Sequence, residues 1–313
     1  MPSQDDVLKS DEQRKVSRDR VEQAQVQQYG SRYSDYRRQY EAAARFEYEP
    51  TFPLYLMLEQ TYHCNLRCPI CIQGLSEERK AFEPSSPRMS RDLFQRIVLE
   101  GERHKCPSIA MEVNDEPLLV KDLSERIRYC KEHGFMDVFM TTNGVLFTEK
   151  TVREIIDAGV THILFSVDAA TKETYDKIRL GGDFQKVIDA ITMVRRYREE
   201  RNSVLPLIRA SLVQNRLNQH ETEAFGAQFG GLADFVEIQG FSSYYHHTDQ
   251  LIPVGASKVE GFSCIEPWRK LIVRANGDVL PCCTFYGYEL VLGNVNSTTL
   301  HELYNSPPYE GNA

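Results

Sequence analysis

An α/β fold, arranged as a partial (β/α)6 barrel with a small C-terminal β-hairpin plus helix module and an N-terminal helical extension, is predicted by three observations. Six short apolar runs recur along the middle of the chain, an amphipathic helical pattern follows most of them, and a hairpin signal replaces this alternation near the end. The length of 313 residues suits one large core with an appendage, or two domains. A formal net charge of -8 gives no basic field to attract nucleic acid or an anionic membrane. No apolar run reaches the roughly eighteen residues of a membrane span, and the amino terminus has no apolar h-region. The expectation is a cytoplasmic protein with no nucleic-acid and no membrane partner.

Residues 1–52 are read as the helical extension. Val26, Tyr29, Tyr33, Tyr36 and Tyr40 recur in steps of three and four, a stripe that packs on the main body, and the first ten or so residues are expected to be disordered. Residues 53–242 form the core. Its strand runs are Leu54 to Gln60, Ser108 to Asn114, Asp137 to Asn143, His162 to Asp168, Leu207 to Val213 and Asp234 to Gly240. Ser90 and Asp183 are expected to cap two of the intervening helices. Consecutive apolar strands joined by helices imply a parallel sheet, in which ligands sit at the carboxyl ends of the strands. The polar residues there are Asn114 to Glu116, Thr142 to Gly144, Ser166 to Asp168, Arg209 and Gln239, expected on one rim. The segment between Cys71 and Ser90 is polar and contains proline, and reads as a lid or as disorder.

Residues 243–313 form the smaller module. Two short strands flank the Asn276-Gly277 turn, and a short helix capped at Ser297 or Thr298 follows. The linker before it offers Tyr244, Tyr245, His246 and His247 to a substrate, or is an ordinary surface connection.

The eight cysteines are clustered rather than spread as staples. Such clustering in a large intracellular chain favours metal over disulfides. Cys64, Cys68 and Cys71 follow the first strand at spacing C-x3-C-x2-C. A structural zinc site or an ordinary iron–sulfur cluster takes four protein ligands, so three thiols leave one position open, unless His63 completes a zinc site. Cys106 and Cys130 are read as buried packing residues.

C-x3-C-x2-C after the first strand of a six-fold β/α chain resembles the radical S-adenosylmethionine (SAM) superfamily, and residues 264 to 306 resemble its SPASM/twitch type of auxiliary domain. The resemblance implies a [4Fe-4S] cluster on Cys64, Cys68 and Cys71 whose open iron chelates SAM, and reductive cleavage of SAM to a 5'-deoxyadenosyl radical. It implies SAM contacts from Glu116, which would receive the amino group, and from Ser166 and Asp168, with Asp168 as a helix cap in the competing reading. Asn143, Arg209 and Gln239 are further polar candidates. Arg209 suits the SAM carboxylate, or else forms a structural ion pair.

Cys264 and Cys282 stand as C-x12-G-x4-C around Gly277, similar to the first half of the SPASM/twitch pattern, and imply a second, auxiliary iron–sulfur cluster. No cysteine follows Cys283, so the ligand set departs from the full pattern. His301 is a remote further ligand, and a module that keeps its fold without a cluster is the other reading. An auxiliary cluster suits dehydrogenation; epimerisation needs a thiol to return hydrogen, for which Cys283 is the candidate. The substrate class expected is a small polar metabolite such as a sugar, aminocyclitol or aminoglycoside-like natural product, because the extension does not resemble a leader-peptide-binding domain. Maturation of a ribosomal peptide is one alternative, and a non-catalytic metal-binding scaffold another. Flavodoxin or ferredoxin is the expected electron donor.

Overall fold

A computed structural model describes residues 19–242, 246–257, 261, 263–283 and 285–306. The first ten residues, expected to lack order, and Tyr244 and Tyr245 lie outside the described residues. In chain order the elements are α1 (19–29), α2 (Ser31–Ala44), β1 (Tyr55–Leu58), α3 (Ser76–Ala81), α4 (Arg91–Arg103), β2 (Ser108–Ala110), α5 (Leu123–Glu132) and β3 (Asp137–Thr142). There follow α6 (Glu149–Ala158), β4 (His162–Ser166), α7 (Lys172–Ile178), α8 (Phe184–Glu200), β5 (Leu207–Val213), α9 (Thr222–Phe229) and β6 (Phe235–Gln239). The last part holds β7 (Lys270–Val273), β8 (Asp278–Leu280), α10 (Phe285–Glu289), β9 (Gly293–Asn294) and α11 (Leu300–Tyr304). No helix among the described residues is long and apolar enough to cross a membrane.

The chain divides into two compact units. The first comprises Met1–Ala24, Cys64–Arg79 and Met140–Ser257. Here β4, β5 and β6 pair in parallel, with Ser166 opposite Ser211 and Ser211 opposite Glu237. Their helices bury aromatic and aliphatic stripes: Phe184 packs on Tyr175 and Phe229, and Tyr197 of α8 donates its hydroxyl to Asp157 of α6. Helix α8 begins where Asp183 accepts from the amides of Gln185 and Lys186, the expected cap.

The second unit comprises Gln25–His63, Lys80–Phe139 and Lys258–Ala313. In it β1 pairs in parallel with β2 on one side and β7 on the other, and β2 pairs with the start of β3. Strands β7, β8 and β9 continue antiparallel. The hairpin thus joins the same sheet as β1 instead of standing apart from it. Gly277 takes the positive φ of 93° that its turn requires. Tyr33 and Tyr36 of the helical stripe pack with Ala43, Leu54 and Met136, and Val26, Tyr29 and Tyr40 flank them. Ser90 caps α4 by accepting from the Leu93 amide. The cap of α11 is Thr299, not Ser297 or Thr298, because only Thr299 reaches the amide of Glu302 while Glu302 reaches back to it.

The segment after Cys71 contains a 3-10 turn, Ile72–Gly74, and α3, with a bridge from Arg88 to Thr61 further on. Cys106 and Cys130 are buried, as their packing role requires.

Candidate functional site

In the first unit the cysteine loop is stitched by short local bonds. The Cys71 amide donates to the Cys68 carbonyl at 3.0 Å and the Gly74 amide to the Cys71 carbonyl at 2.9 Å. A Cβ at Gly74 would overlap the Cys68 carbonyl oxygen and lie 2.7 Å from its carbon and 2.9 Å from the Arg67 oxygen, so the loop closes only around glycine. Cys64 Sγ accepts from the Leu66 amide at 3.4 Å and from Asn143 Nδ2 at 3.8 Å. Asn143 also donates to Asn65 at 2.9 Å. Burial pushes the Cys71 thiol up to about 11 and raises Cys68 as well, although Arg179 draws Cys68 back.

Arg179, at the end of α7, donates through Nη1 to Cys68 Sγ at 3.7 Å and is ion-paired through Nη2 with Asp168 Oδ2 at 2.5 Å. Asp168 is fully buried and left-handed at φ 65°, a conformation that costs a non-glycine residue about 1 kcal/mol. Its other oxygen accepts from the Val213 amide at 2.7 Å. Burial raises the Asp168 carboxyl, and Arg179 and the Val213 amide oppose that rise. Thr171, not Asp168, caps α7.

Ser166 ends β4 half-buried. Arg209 of β5 pairs with Glu237 of β6 at 2.6 Å, and Gln239 donates to the same Glu237 oxygen at 2.7 Å. Thus Arg209 and Gln239 meet through a carboxylate, while Asn143 stands with Cys64.

In the second unit the Glu116 amide donates to the carbonyl of His63, the residue before Cys64 in the chain, at 3.0 Å. Its buried carboxylate accepts from the Leu118 amide. Asp115 accepts from the amides of Val113 and Thr61, and burial pushes its carboxyl well above the usual range. Asn114 donates to the Cys283 carbonyl and to Tyr288 Oη, both at 3.2 Å. Tyr288 in turn donates to Glu59, which faces Arg274 at 3.5 Å.

Cys264 is exposed and Cys282 half-buried. A Cβ at Gly287 would overlap the Cys282 carbonyl, lying 2.8 Å from its carbon. Cys283 Sγ accepts from Lys270 Nζ at 3.1 Å, and Lys270 also meets Glu266 at 3.1 Å. Burial works against the Lys270 charge, but Cys283 and Glu266 raise its pKa above the ordinary value. His301 stacks on His104 with ring centroids 4.8 Å apart.

Arg179, Glu237, Lys270, Gly74 and Gly287 are absent from the strand-end reading. Of these only the glycines carry a sequence signal, each following a cysteine by five or six positions.

Residues 58–209 match the radical SAM superfamily, and residues 264–311 match SPASM, an iron–sulfur cluster-binding domain. The GTP 3',8-cyclase of Lactiplantibacillus plantarum is 34% identical over 140 residues, which are 44% of this chain and 41% of that protein. The match therefore spans less than half of that relative. The tungsten-containing aldehyde ferredoxin oxidoreductase cofactor-modifying protein of Pyrococcus furiosus is 25% identical over 303 residues, 82% of each chain. The crystal structure of Streptococcus suis SuiB bound to S-adenosylmethionine shares the fold at a TM-score of 0.64 and 17% identity, covering 89% of this chain and 72% of that one.

Proposed function

This chain is a radical SAM enzyme with a C-terminal SPASM domain, and from that premise we propose that it takes a hydrogen atom from a small polar metabolite, leading to dehydrogenation or epimerisation. The radical SAM domain implies a [4Fe-4S] cluster with SAM, and the SPASM domain implies additional iron–sulfur binding. When bound and reduced by one electron, the first cluster with SAM would supply a 5'-deoxyadenosyl radical able to attack an unactivated C–H bond.

The residues present fit the first cluster. Cys64, Cys68 and Cys71 stand on one loop and form no disulfide, with Asn143 and Arg179 donating to two of the sulfurs. The Arg179 Nε–H is buried and has no hydrogen-bond partner among the described residues, a donor left for an incoming acceptor. No three His, Cys, Asp or Glu side chains among the described residues stand in metal-binding geometry, so the fit rests on donor type and on this one orphaned Nε–H. Thiolates are the usual ligands of such clusters. The arginine and asparagine at the cysteine loop are the single observation that carries the reading.

In the proposed site Glu116, Asn143, Ser166, Arg209 and Gln239 bind SAM. Asp168 is a further proposed SAM contact, its Oδ1 accepting from the Val213 amide and its Oδ2 ion-paired with Arg179. Cys264 and Cys282 hold the auxiliary cluster. Cys283, held by Lys270, returns a hydrogen atom if the outcome is epimerisation. Residues 1–52, 53–242 and 243–313 remain the proposed divisions, with a flavodoxin or ferredoxin as electron donor in the cytoplasm.

The metabolite reading draws on the sequence relatives, whose names refer to GTP and to a cofactor. SuiB has been crystallised with a precursor peptide, but its likeness at 17% identity bears on fold alone. The test is anaerobic reconstitution with iron and sulfide, then reduction with SAM and a perdeuterated extract separated at about 1 kDa. Deuterated 5'-deoxyadenosine from the small fraction is expected. Deuterium from the large fraction alone would favour peptide maturation, and no SAM cleavage by cluster-loaded protein would leave the scaffold. About eight irons per chain are expected, falling to about four in Cys264→Ala/Cys282→Ala.

A further inference from the structure

We infer that Arg179 is a positioning residue for the SAM-binding cluster: fixed by Asp168, it donates to the sulfur of Cys68 and tunes the potential of the cluster that this cysteine holds. The inference rests on the radical SAM reading of the cysteine loop.

Two independent features show that the contact is built rather than incidental. The turn after α7 is docked on the cysteine loop by its backbone, since the Arg67 amide donates to the Leu180 carbonyl at 2.9 Å. That turn closes through Gly182, where a Cβ would stand 2.9 Å from the Arg179 carbonyl oxygen and closer still, 2.8 Å, to the Tyr175 ring. The guanidinium itself is then aimed by Asp168, whose side chain is wholly inaccessible and whose second oxygen is tied to the Val213 amide. Cys68 and Arg179 lie 111 positions apart, and both are largely buried.

A cation that donates to a thiolate ligand stabilises the more negative, reduced cluster over the oxidised one, because hydrogen bonds to the sulfurs and local charge set the potential. Low dielectric around the pair keeps that effect from being screened away. The planar fork of arginine reaches carboxylate and sulfur together. A lysine presents one compact charge and does not span both partners.

The experiment uses the full reconstituted chain. Iron per chain is counted, and the midpoint of the cluster whose EPR signal changes on adding SAM is measured by redox titration. For Arg179→Gln, wild-type iron content and a fall in the reduction equilibrium constant of at least tenfold, about 59 mV for a one-electron couple, are expected. Arg179→Lys keeps the charge but does not span both partners, and is expected to show a smaller but measurable fall, less than half that shift. Full iron loading with an unmoved midpoint in the glutamine variant overturns the inference and leaves Arg179 a packing residue. Should that variant fail to load iron, the lysine variant decides: a measurable fall retains the assignment, and a wild-type midpoint and line shape overturn it. Wild-type protein that binds no iron at this loop would instead sink the radical SAM reading, so the two failures are distinct.

Discussion

Replacing Gly74 by alanine is expected to strip iron from the first cysteine loop while leaving the protein folded. The added methyl meets backbone, not a side chain that can swing aside: it overlaps the Cys68 carbonyl oxygen and lies 2.7 Å from the carbonyl carbon. Moving that carbon out to the 3.4 Å of ordinary contact is a displacement of about 0.7 Å, whereas metal–ligand distances tolerate about 0.2 Å. Overpacking of this kind costs about 1–3 kcal/mol, too little to unfold a domain but enough to misplace Cys68. The assay is iron and sulfide counting after anaerobic reconstitution, beside the thermal midpoint of the metal-free protein. Iron should fall by about four per chain with only a small change in midpoint. Gly226→Ala is the control, since a Cβ in that α9 position meets nothing within 4 Å and alanine is the better helix former by about 1 kcal/mol. Wild-type iron in Gly74→Ala would refute the claim that glycine is needed for the closure of this loop.

Gly287→Ala should act likewise on the second cysteine group, lowering iron by about four while SAM cleavage persists; retention of all the iron would place the cluster away from Cys282. Glu221 accepts from the amides of Ala170 and Thr171 and from the hydroxyls of Thr171 and Thr174. Burial works against its charge, yet these donors hold its pKa below the ordinary 4.5. Its stabilisation is therefore full above that value and lost as pH falls through the folded-state pKa, so Glu221→Gln should lower the thermal midpoint at pH 7 and converge with wild type in acid. A gap independent of pH would contradict this. Glu59→Ala strands the buried Arg274 and should cost about 3–5 kcal/mol, whereas Glu59→Leu/Arg274→Met should recover most of it in urea titrations. Equal loss in both would point to shape rather than charge.

The strands were legible because their apolar content is concentrated: Leu207 to Val213 is predicted and observed with the same ends. Ser90 and Asp183 were legible as caps because a short acceptor stands just before a periodic apolar run. The run from Ser108 to Asn114 outlasts its strand, which ends at Ala110, because Met111 and Val113 continue the apolar alternation past it. The cysteine spacing was legible because few chemistries need three thiols so close. Arg179 was not, since a single arginine at a helix end has no local pattern and acquires meaning only against Cys68 and Asp168, both distant in the chain. Arg209 was visible, but the carboxylate facing it, Glu237, is found only through the register of β5 on β6.

The parallel pairing of β1 with β7 sets an order of events during synthesis. Tyr55 through Leu58 complete one edge only with Lys270 through Val273, more than two hundred residues later. Closing so long a loop is slow and leaves an unpaired strand edge in the meantime. The strand leading into the first three cysteines thus stays unfinished on the ribosome until the last fifth of the chain emerges. A polypeptide stopped near residue 257 should expose that edge and associate with itself, and its stable maturation belongs after translation rather than during it.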